Sequence, residues 1–275
     1  MKWKSVTALT LALGFALTGC TQAGTGTPVG EKPALTVEQI SQLPVAERTA
    51  EYNGAPAASE DFKYKIATPK LGLAFTPAYD APDGKPVALI AEAIRSDFIW
   101  TPVIDEREGW LKIMLPGKNA GSSKAEDDQG VAGWVSASSM EVKEHTREVI
   151  VSAHKREVQV LKQGELLASY DLQERLQEPD VAGRKGFIAI EKWGRPDFES
   201  CNIENGFSTS LLSERFKHRT DVGLSEAKPY PEDADCHSGA KTAWAMSVGT
   251  FRLSKSDMKS LQGYVSPGTP IHFVK

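Results

Sequence analysis

The last thirty residues carry the pattern that decides the fold: Ser247-Val-Gly-Thr-Phe-Arg-Leu253, and after a gap Ser266-Pro-Gly-Thr-Pro-Ile-His-Phe-Val274. Between these stretches, apolar residues recur at helical spacing, at Met258, Leu261 and Val265. Ser256 and Asp257 are the predicted N-cap residues of that helix. Pro267-Gly268 ends it, and residues 271–274 are typical of a strand. The sequence therefore predicts a short helix followed by a closing strand.

This layout resembles the end of the L,D-transpeptidase (YkuD-type) catalytic domain. There a Ser-His-Gly-Cys-x-Arg motif precedes a short helix and a terminal Gly-Thr-Pro-Val strand. The matching residues here are Ser247-Val248-Gly249-Thr250-Phe251-Arg252. The serine, glycine and arginine are kept, whereas Thr250 stands in place of the nucleophilic cysteine and Val248 in place of the histidine. The resemblance implies a YkuD-like β-sandwich whose catalytic motif is degenerate.

The N-terminus is typical of an exported protein. A basic start precedes the apolar run from Val6 to Leu17, which is too short for a transmembrane helix and predicts a signal peptide. Leu17-Thr18-Gly19-Cys20 resembles a bacterial lipobox, so residues 1–19 would be removed and Cys20 lipidated. Thr21 stands where an aspartate would indicate retention in the inner membrane, which favours the outer membrane. The alternative is an ordinary secreted protein.

The composition is that of an ordinary globular chain: 275 residues, 40% hydrophobic and 25% charged. The formal net charge is -4, and loss of Lys2 and Lys4 with the signal peptide would make it more negative. No basic surplus remains for nucleic acid, so we predict no nucleic-acid partner.

The cysteines favour a disulfide, whereas the histidines do not have the spacing of a metal site. Apart from Cys20, the chain has Cys201 and Cys236, an even pair that predicts a disulfide in an oxidising compartment. Such a bridge contributes about 3–4 kcal/mol; free thiols are the alternative. Five histidines are scattered without metal-ligand spacing, at positions 145, 154, 218, 237 and 272. We predict neither a metal nor a cofactor.

The first half of the chain divides at residue 61. Residues 20–61 are predicted to form a flexible tether, with a short helix after the capping-box pattern Thr36-Val-Glu-Gln39. Short strands separated by turns fill residues 62–145 and predict a small all-β barrel. Their candidate ranges are 62–68, 71–75, 87–94, 98–104, 110–115 and 132–135.

Two phrases in that region suggest the kind of barrel. Glu108-Gly-Trp-Leu-Lys-Ile113 and Val131-Ala-Gly-Trp-Val135 resemble strands of bacterial SH3-like barrels, which often accompany cell-wall enzymes. Trp110 and Trp134 either line a ligand groove or fill the interior, and the interior is the favoured position in so small a barrel.

Residues 146–275 are predicted to form the L,D-transpeptidase-like domain. Strand patterns at 149–152, 157–160 and 166–171 resemble the opening of the family's sheet, and 184–190 resembles a later strand. The resemblance is weak from Trp193 to Asp235. With the SH3-like region, the whole chain is predicted to be mainly β.

The resemblance also suggests site residues. In the family a cysteine thiolate attacks a peptidoglycan stem peptide, a histidine acts as base, and backbone amides stabilise the oxyanion. His237-Ser238 stands in a place comparable to that base, and a solvated loop histidine is the alternative. Arg252 either helps to hold the site or a substrate carboxylate, or forms a structural ion pair. Ser238, Ser247, Gly249 and Arg252 are the predicted substrate-binding residues.

Neither Thr250 nor Cys236 is a simple replacement for the catalytic cysteine of the family. The Thr250 hydroxyl is far less acidic than a thiol, and an internal threonine lacks the N-terminal amine that usually serves as its base. Cys236 adjoins His237, but the acidic residues at 232–235 raise a thiol pKa. Adjacent strand residues also point to opposite faces. Catalysis at Cys236 further requires that it not be bridged to Cys201.

Three functions follow. The first is a non-enzymatic envelope lipoprotein that binds peptidoglycan or a wall-remodelling partner through the former substrate cleft. The second is an active cysteine peptidoglycan L,D-transpeptidase or hydrolase that uses Cys236 and His237. The third is a structural lipoprotein whose domains hold a protein partner.

Overall fold

The chain is mainly β, as its sequence predicts. The structure, a computed structural model, describes residues 34–91, 100–121, 129–173, 183–190, 206–213, 220–226 and 250–274. The described strands form two large sheets and one two-stranded pair.

The first large sheet lies within residues 65–144. The strands of this half are β1 Glu51–Tyr52, β2 Lys65–Pro69, β3 Phe75–Tyr79, β4 Pro86–Ala91, β5 Thr101–Arg107, β6 Trp110–Leu115, β7 Lys118–Asn119, β8 Val131–Ser136 and β9 Met140–Glu144. Seven of them pair in the order β4-β3-β8-β6-β5-β2-β9. β1 and β7 form the separate parallel pair. Among the described residues β4 and β9 are the open ends of the sheet, so no closed barrel is seen there.

The second sheet lies within residues 147–274. Its strands are β10 Arg147–Ser152, β11 Glu157–Lys162, β12 Glu165–Asp171, β13 Lys185–Ile190, β14 Gly206–Ser213, β15 Thr220–Glu226, β16 Thr250–Leu253 and β17 Pro270–Val274. They pair in the order β12-β11-β10-β17-β13-β14-β15-β16. The closing strand β17 is therefore central, parallel to β10 and antiparallel to β13. The last residues of the chain hold the opening hairpin to the rest of the sheet.

The helices are short. α1 spans Val37–Gln42 and begins with the predicted capping box, in which Thr36 and Gln39 each accept a hydrogen bond from the other's backbone. α2 spans Lys255–Gln262. Its N-cap is Ser254, which accepts a hydrogen bond from the Asp257 amide, so the predicted caps at 256 and 257 are wrong. β16 ends at Leu253, and Ser254 is the first residue after it with a capping side chain.

Most predicted strands are present, with shifted ends. The prediction at 110–115 matches β6. The candidate at 71–75 is wrong, because residues 70–73 form a turn and β3 begins only at Phe75. Gly72 has φ +90 in that turn, a left-handed conformation that favours glycine and interrupts a strand.

The tryptophans pack in the interior, as favoured by the sequence. Trp110 and Trp134 are 5% and 3% exposed and form a buried cluster with Tyr79. The Tyr79 ring meets Trp110 edge to face at 5.5 Å between ring centroids. These side chains are core residues and do not line an open groove.

Part of the predicted tether is packed. Tyr52 is fully buried, and its hydroxyl donates to the Pro116 carbonyl. The Ala58 amide donates to the Gly130 carbonyl (3.1 Å), and Pro56 accepts from the Ala132 amide (2.8 Å). Residues 45–60 therefore pack against the first sheet. Alanines supply much of this contact, and their weak hydrophobic signal in the sequence suggested a loose segment.

The two sheets share a buried cluster. Phe187 and Ala189 of β13 pack with residues of the first half, namely Ala58, Ile104, Met114 and Ala132. A second contact lies at Gly268, where an added Cβ would come within 2.8 Å of the Trp100 Cβ. Residue 268 therefore has room only for glycine, which also suits its φ of +86.

Candidate functional site

The last residues of the predicted motif, 250–252, lie in β16, at one end of the described strand order. Phe251 and Leu253 are 6% and 0% exposed and belong to the core of the second sheet. Because strand side chains alternate between faces, Arg252 lies on the opposite face, where it is partly exposed. Thr250 and Arg252 both lie in β16.

The β16 backbone is held on both sides. It pairs in parallel with β15, with Thr250 opposite Gly223 and Arg252 opposite Ser225. The Arg252 carbonyl accepts a hydrogen bond from the Gln173 amide at 2.8 Å. The Phe251 ring stacks on Phe273 of β17, with 5.3 Å between centroids. Backbone position 250 is thus built into a sheet.

Arg252 has the exposure needed of a ligand-binding cation. Within the described ranges its guanidinium makes no ion pair or side-chain hydrogen bond. A partly exposed guanidinium can take a carboxylate in bidentate fashion. The alternative of a structural ion pair finds no partner among those same residues.

The other predicted site residues lie outside the described residues. They are Cys20, Cys201, Cys236, His237, Ser238, Ser247 and Gly249. The predicted Cys201–Cys236 disulfide and the pairing of His237 with a nucleophile therefore stay predictions.

A polar contact that sequence reasoning missed joins the two halves of the chain. His145 Nε2 lies 3.0 Å from Thr269 Oγ1. Thr269 is fully buried, and its hydroxyl donates to the Ser266 carbonyl and accepts from the Ser266 amide. Since that hydroxyl proton is already engaged, Nε2 of His145 is the donor. Nothing in the sequence distinguishes His145 from the other scattered histidines, because its partner is 124 residues away.

The electrostatics of this contact keep His145 neutral. Burial, together with the cations Lys143 and Arg147, lowers the pKa of His145 to about 4. Burial and then Lys185 also lower the pKa of His272 in β17. Both imidazoles are partly buried near cations, so acid places unfavourable charge there.

We expect the protein to lose stability as the pH falls from 6.5 towards 4. Between pH 4 and pH 6.5 the unfolded chain binds a proton at His145 and the folded chain does not, so the free energy of unfolding rises with pH. The contribution of His145 reaches its full value above pH 6.5. His145 is partly solvated, so we discount its contribution to about 1–2 kcal/mol. Urea unfolding of wild type and His145→Gln at pH 7 and pH 4.5 measures it.

The variant should show a shallower pH dependence than wild type. His154→Gln, which changes an exposed histidine, is the matched control and should keep the wild-type slope. Equal slopes for His145→Gln and wild type would contradict the assignment.

Among the described residues, no group of three or more His, Cys, Asp or Glu side chains could hold a metal ion. No helix in this part of the chain is long and apolar enough to cross a membrane.

Comparison with known proteins gives weak structural likenesses only. No protein-family model matches the chain, and no curated protein matches it. L,D-transpeptidase 1 of Mycobacterium tuberculosis aligns at 15% identity over 53% of this chain and 78% of that one, with a TM-score of 0.31. An L,D-transpeptidase of Mycobacterium smegmatis aligns at 11% identity over 60% and 91%, with a TM-score of 0.27. Scores this low do not establish a common fold.

Proposed function

We propose that this chain is a cell-envelope lipoprotein anchored through Cys20, with an SH3-like region at 62–145 and a degenerate L,D-transpeptidase-like region at 146–275. Its role is to bind peptidoglycan or a wall-remodelling partner without cutting or joining peptides. The observation that carries the proposal is the position of Thr250. A threonine, held in the paired strand β16, stands where the resemblance calls for the nucleophilic cysteine.

The chemistry of that position opposes catalysis. A threonine hydroxyl gives little alkoxide beside an imidazole, and Thr250 has no terminal amine to serve as base. The motif histidine is also replaced, by Val248. Loss of both groups removes the nucleophile and its nearest proton acceptor.

The retained Arg252 supports binding. It lies on the face of β16 opposite the core and has no ion-pair partner within the described ranges. Stem peptides carry carboxylates, which a guanidinium recognises with two parallel hydrogen bonds. The proposed ligand site therefore includes Arg252, together with Ser238, Ser247 and Gly249 from the sequence prediction.

The alternative is an active cysteine L,D-transpeptidase or hydrolase that uses Cys236 and His237. It requires a free thiol at 236 and an imidazole in contact with it. Acidic residues precede Cys236 in the sequence, and they oppose thiolate formation.

A sedimentation experiment with purified peptidoglycan sacculi tests the proposal. The processed chain should pellet with sacculi and leave their muropeptides unchanged. Arg252→Ala should weaken pelleting about tenfold, which corresponds to about 1.4 kcal/mol for a lost charge-assisted contact. Arg107→Ala, an equal charge change on an exposed arginine of the first sheet, is the control and should pellet like wild type.

The same experiment separates the alternatives. New cross-links or cleavage that disappear in Cys236→Ala would overturn the binding proposal in favour of the enzyme. Activity that disappears in Thr250→Ala would place the nucleophile at Thr250. If the chain neither pellets with sacculi nor changes their muropeptides, the remaining role is that of a scaffold for a protein partner.

A further inference from the structure

An apolar turn connects β2 and β3 of the first sheet. Lys70 to Leu73 form a β-turn closed by the Leu73 amide donating to the Lys70 carbonyl at 3.4 Å. Gly72, at the third position, has φ +90, as a type II turn requires. The Lys70 amide donates to the Ser139 carbonyl at 3.0 Å, which ties the turn to the body.

This turn presents apolar side chains to solvent. Leu71 at its tip is 74% exposed, Leu73 is 39% exposed, and Phe75 at the start of β3 is 36% exposed. Neighbouring exposed apolar side chains gain free energy when another apolar surface covers them. We call Leu71, Leu73 and Phe75 the apolar turn.

The segment that leads from the N-terminus reaches the sheet near the apolar turn. Val45, itself 41% exposed, forms a parallel bridge with Leu89 of β4. Leu89 pairs with Pro77 of β3, two residues along the strand from Phe75. Strand spacing and rise put Val45 roughly 12 Å from Phe75. The apolar turn thus lies on the side of the first sheet where the N-terminal segment arrives.

We propose that the apolar turn inserts into the surface of the bilayer to which Cys20 is anchored. This inference rests on the proposed lipid anchor. Cys20 precedes the first described residue, Ala34, by 14 positions, and a chain of that length spans at most about 50 Å. The anchor therefore keeps the turn at high effective concentration beside the membrane, where even a weak contact is populated.

The residues of the apolar turn favour binding through apolar contact with the acyl chains rather than through attraction to charged headgroups. Leu and Phe are typical of interfacial contacts, and their binding scales with buried apolar area. Lys70 is the one cation among residues 70–75, so attraction to anionic lipid contributes little. The contact would orient the first sheet towards the membrane.

Vesicle sedimentation of an unanchored chain tests the turn by itself. The chain from Thr21 onward would be mixed with vesicles of phosphatidylethanolamine and phosphatidylglycerol. We expect binding at millimolar lipid, weaker than the roughly 10⁴ M⁻¹ of a single myristoyl chain. Replacing Leu71, Leu73 and Phe75 together with serine should lower binding at least tenfold. Salt at 1 M should leave wild-type binding in place.

The matched control replaces Leu166 and Leu167 with serine. These residues of β12 are 60% and 41% exposed on the second sheet, and the control should bind like wild type. Absence of wild-type binding, equal loss in the control, or binding that salt abolishes would each overturn the proposal. Because this chain lacks Cys20, the result is independent of the lipid anchor. The anchor is tested separately by the mass of the N-terminal residue in protein extracted from membranes.

Discussion

Replacing Glu60 with alanine is expected to lower the free energy of unfolding by about 2–4 kcal/mol, because it leaves the buried ammonium group of Lys112 without its carboxylate partner. Lys112 in β6 has a side chain only 7% exposed, and its Nζ lies 2.5 Å from Glu60 Oε1. Glu60 is itself 33% exposed, which keeps the expected loss at the lower end for a buried pair. Burial acts to raise the pKa of Glu60, but the hydrogen bond and charge of Lys112 together hold that pKa below its usual value.

A surface ion pair of the same type is the control. Lys65 and Glu106 are 2.8 Å apart, with side chains 43% and 39% exposed, and Glu106→Ala should cost less than about 1 kcal/mol. The double variant Glu60→Leu with Lys112→Met should recover most of the stability, since it removes both charges. Urea unfolding measures all three variants. Equal losses for Glu60→Ala and Glu106→Ala would show that Lys112 does not depend on Glu60.

The second large effect is expected from Phe187→Ala, at about 3–5 kcal/mol. Phe187 is fully buried in the cluster that joins the two sheets, against Ala58 and Met114 among others. Its removal leaves a cavity between the two halves of the chain. We expect the two halves to unfold less cooperatively in this variant, which appears as a lower m-value or a second transition.

An exposed phenylalanine supplies the comparison. Phe75→Ala removes the same side chain from a position 36% exposed and should cost less than about 1 kcal/mol. Phe187→Leu should keep most of the stability because it retains much of the volume. If Phe187→Ala were as mild as Phe75→Ala, the cluster would not be what holds the sheets together.

Local patterns in the sequence predicted the local elements. The capping box at Thr36, the strand at 110–115, the helix before the closing strand and that strand itself all depend on neighbours in the chain, and they are present. Of the predicted site residues, Thr250 and Arg252 lie in the described strand β16, and their roles stay predictions. Errors came at the ends of elements, where several residues could serve equally well, as at Ser254.

By itself, therefore, the sequence determined the mainly β character and the terminal helix and strand. Only the tertiary structure decided which distant groups meet: Glu60 with Lys112, His145 with Thr269, and Phe187 with the first sheet. Periodicity and capping act over a few residues, whereas these contacts join positions 52 and 124 apart. Such pairings depend on how two sheets are brought together, and the free energy that selects them comes from burial, which no single stretch of sequence contains.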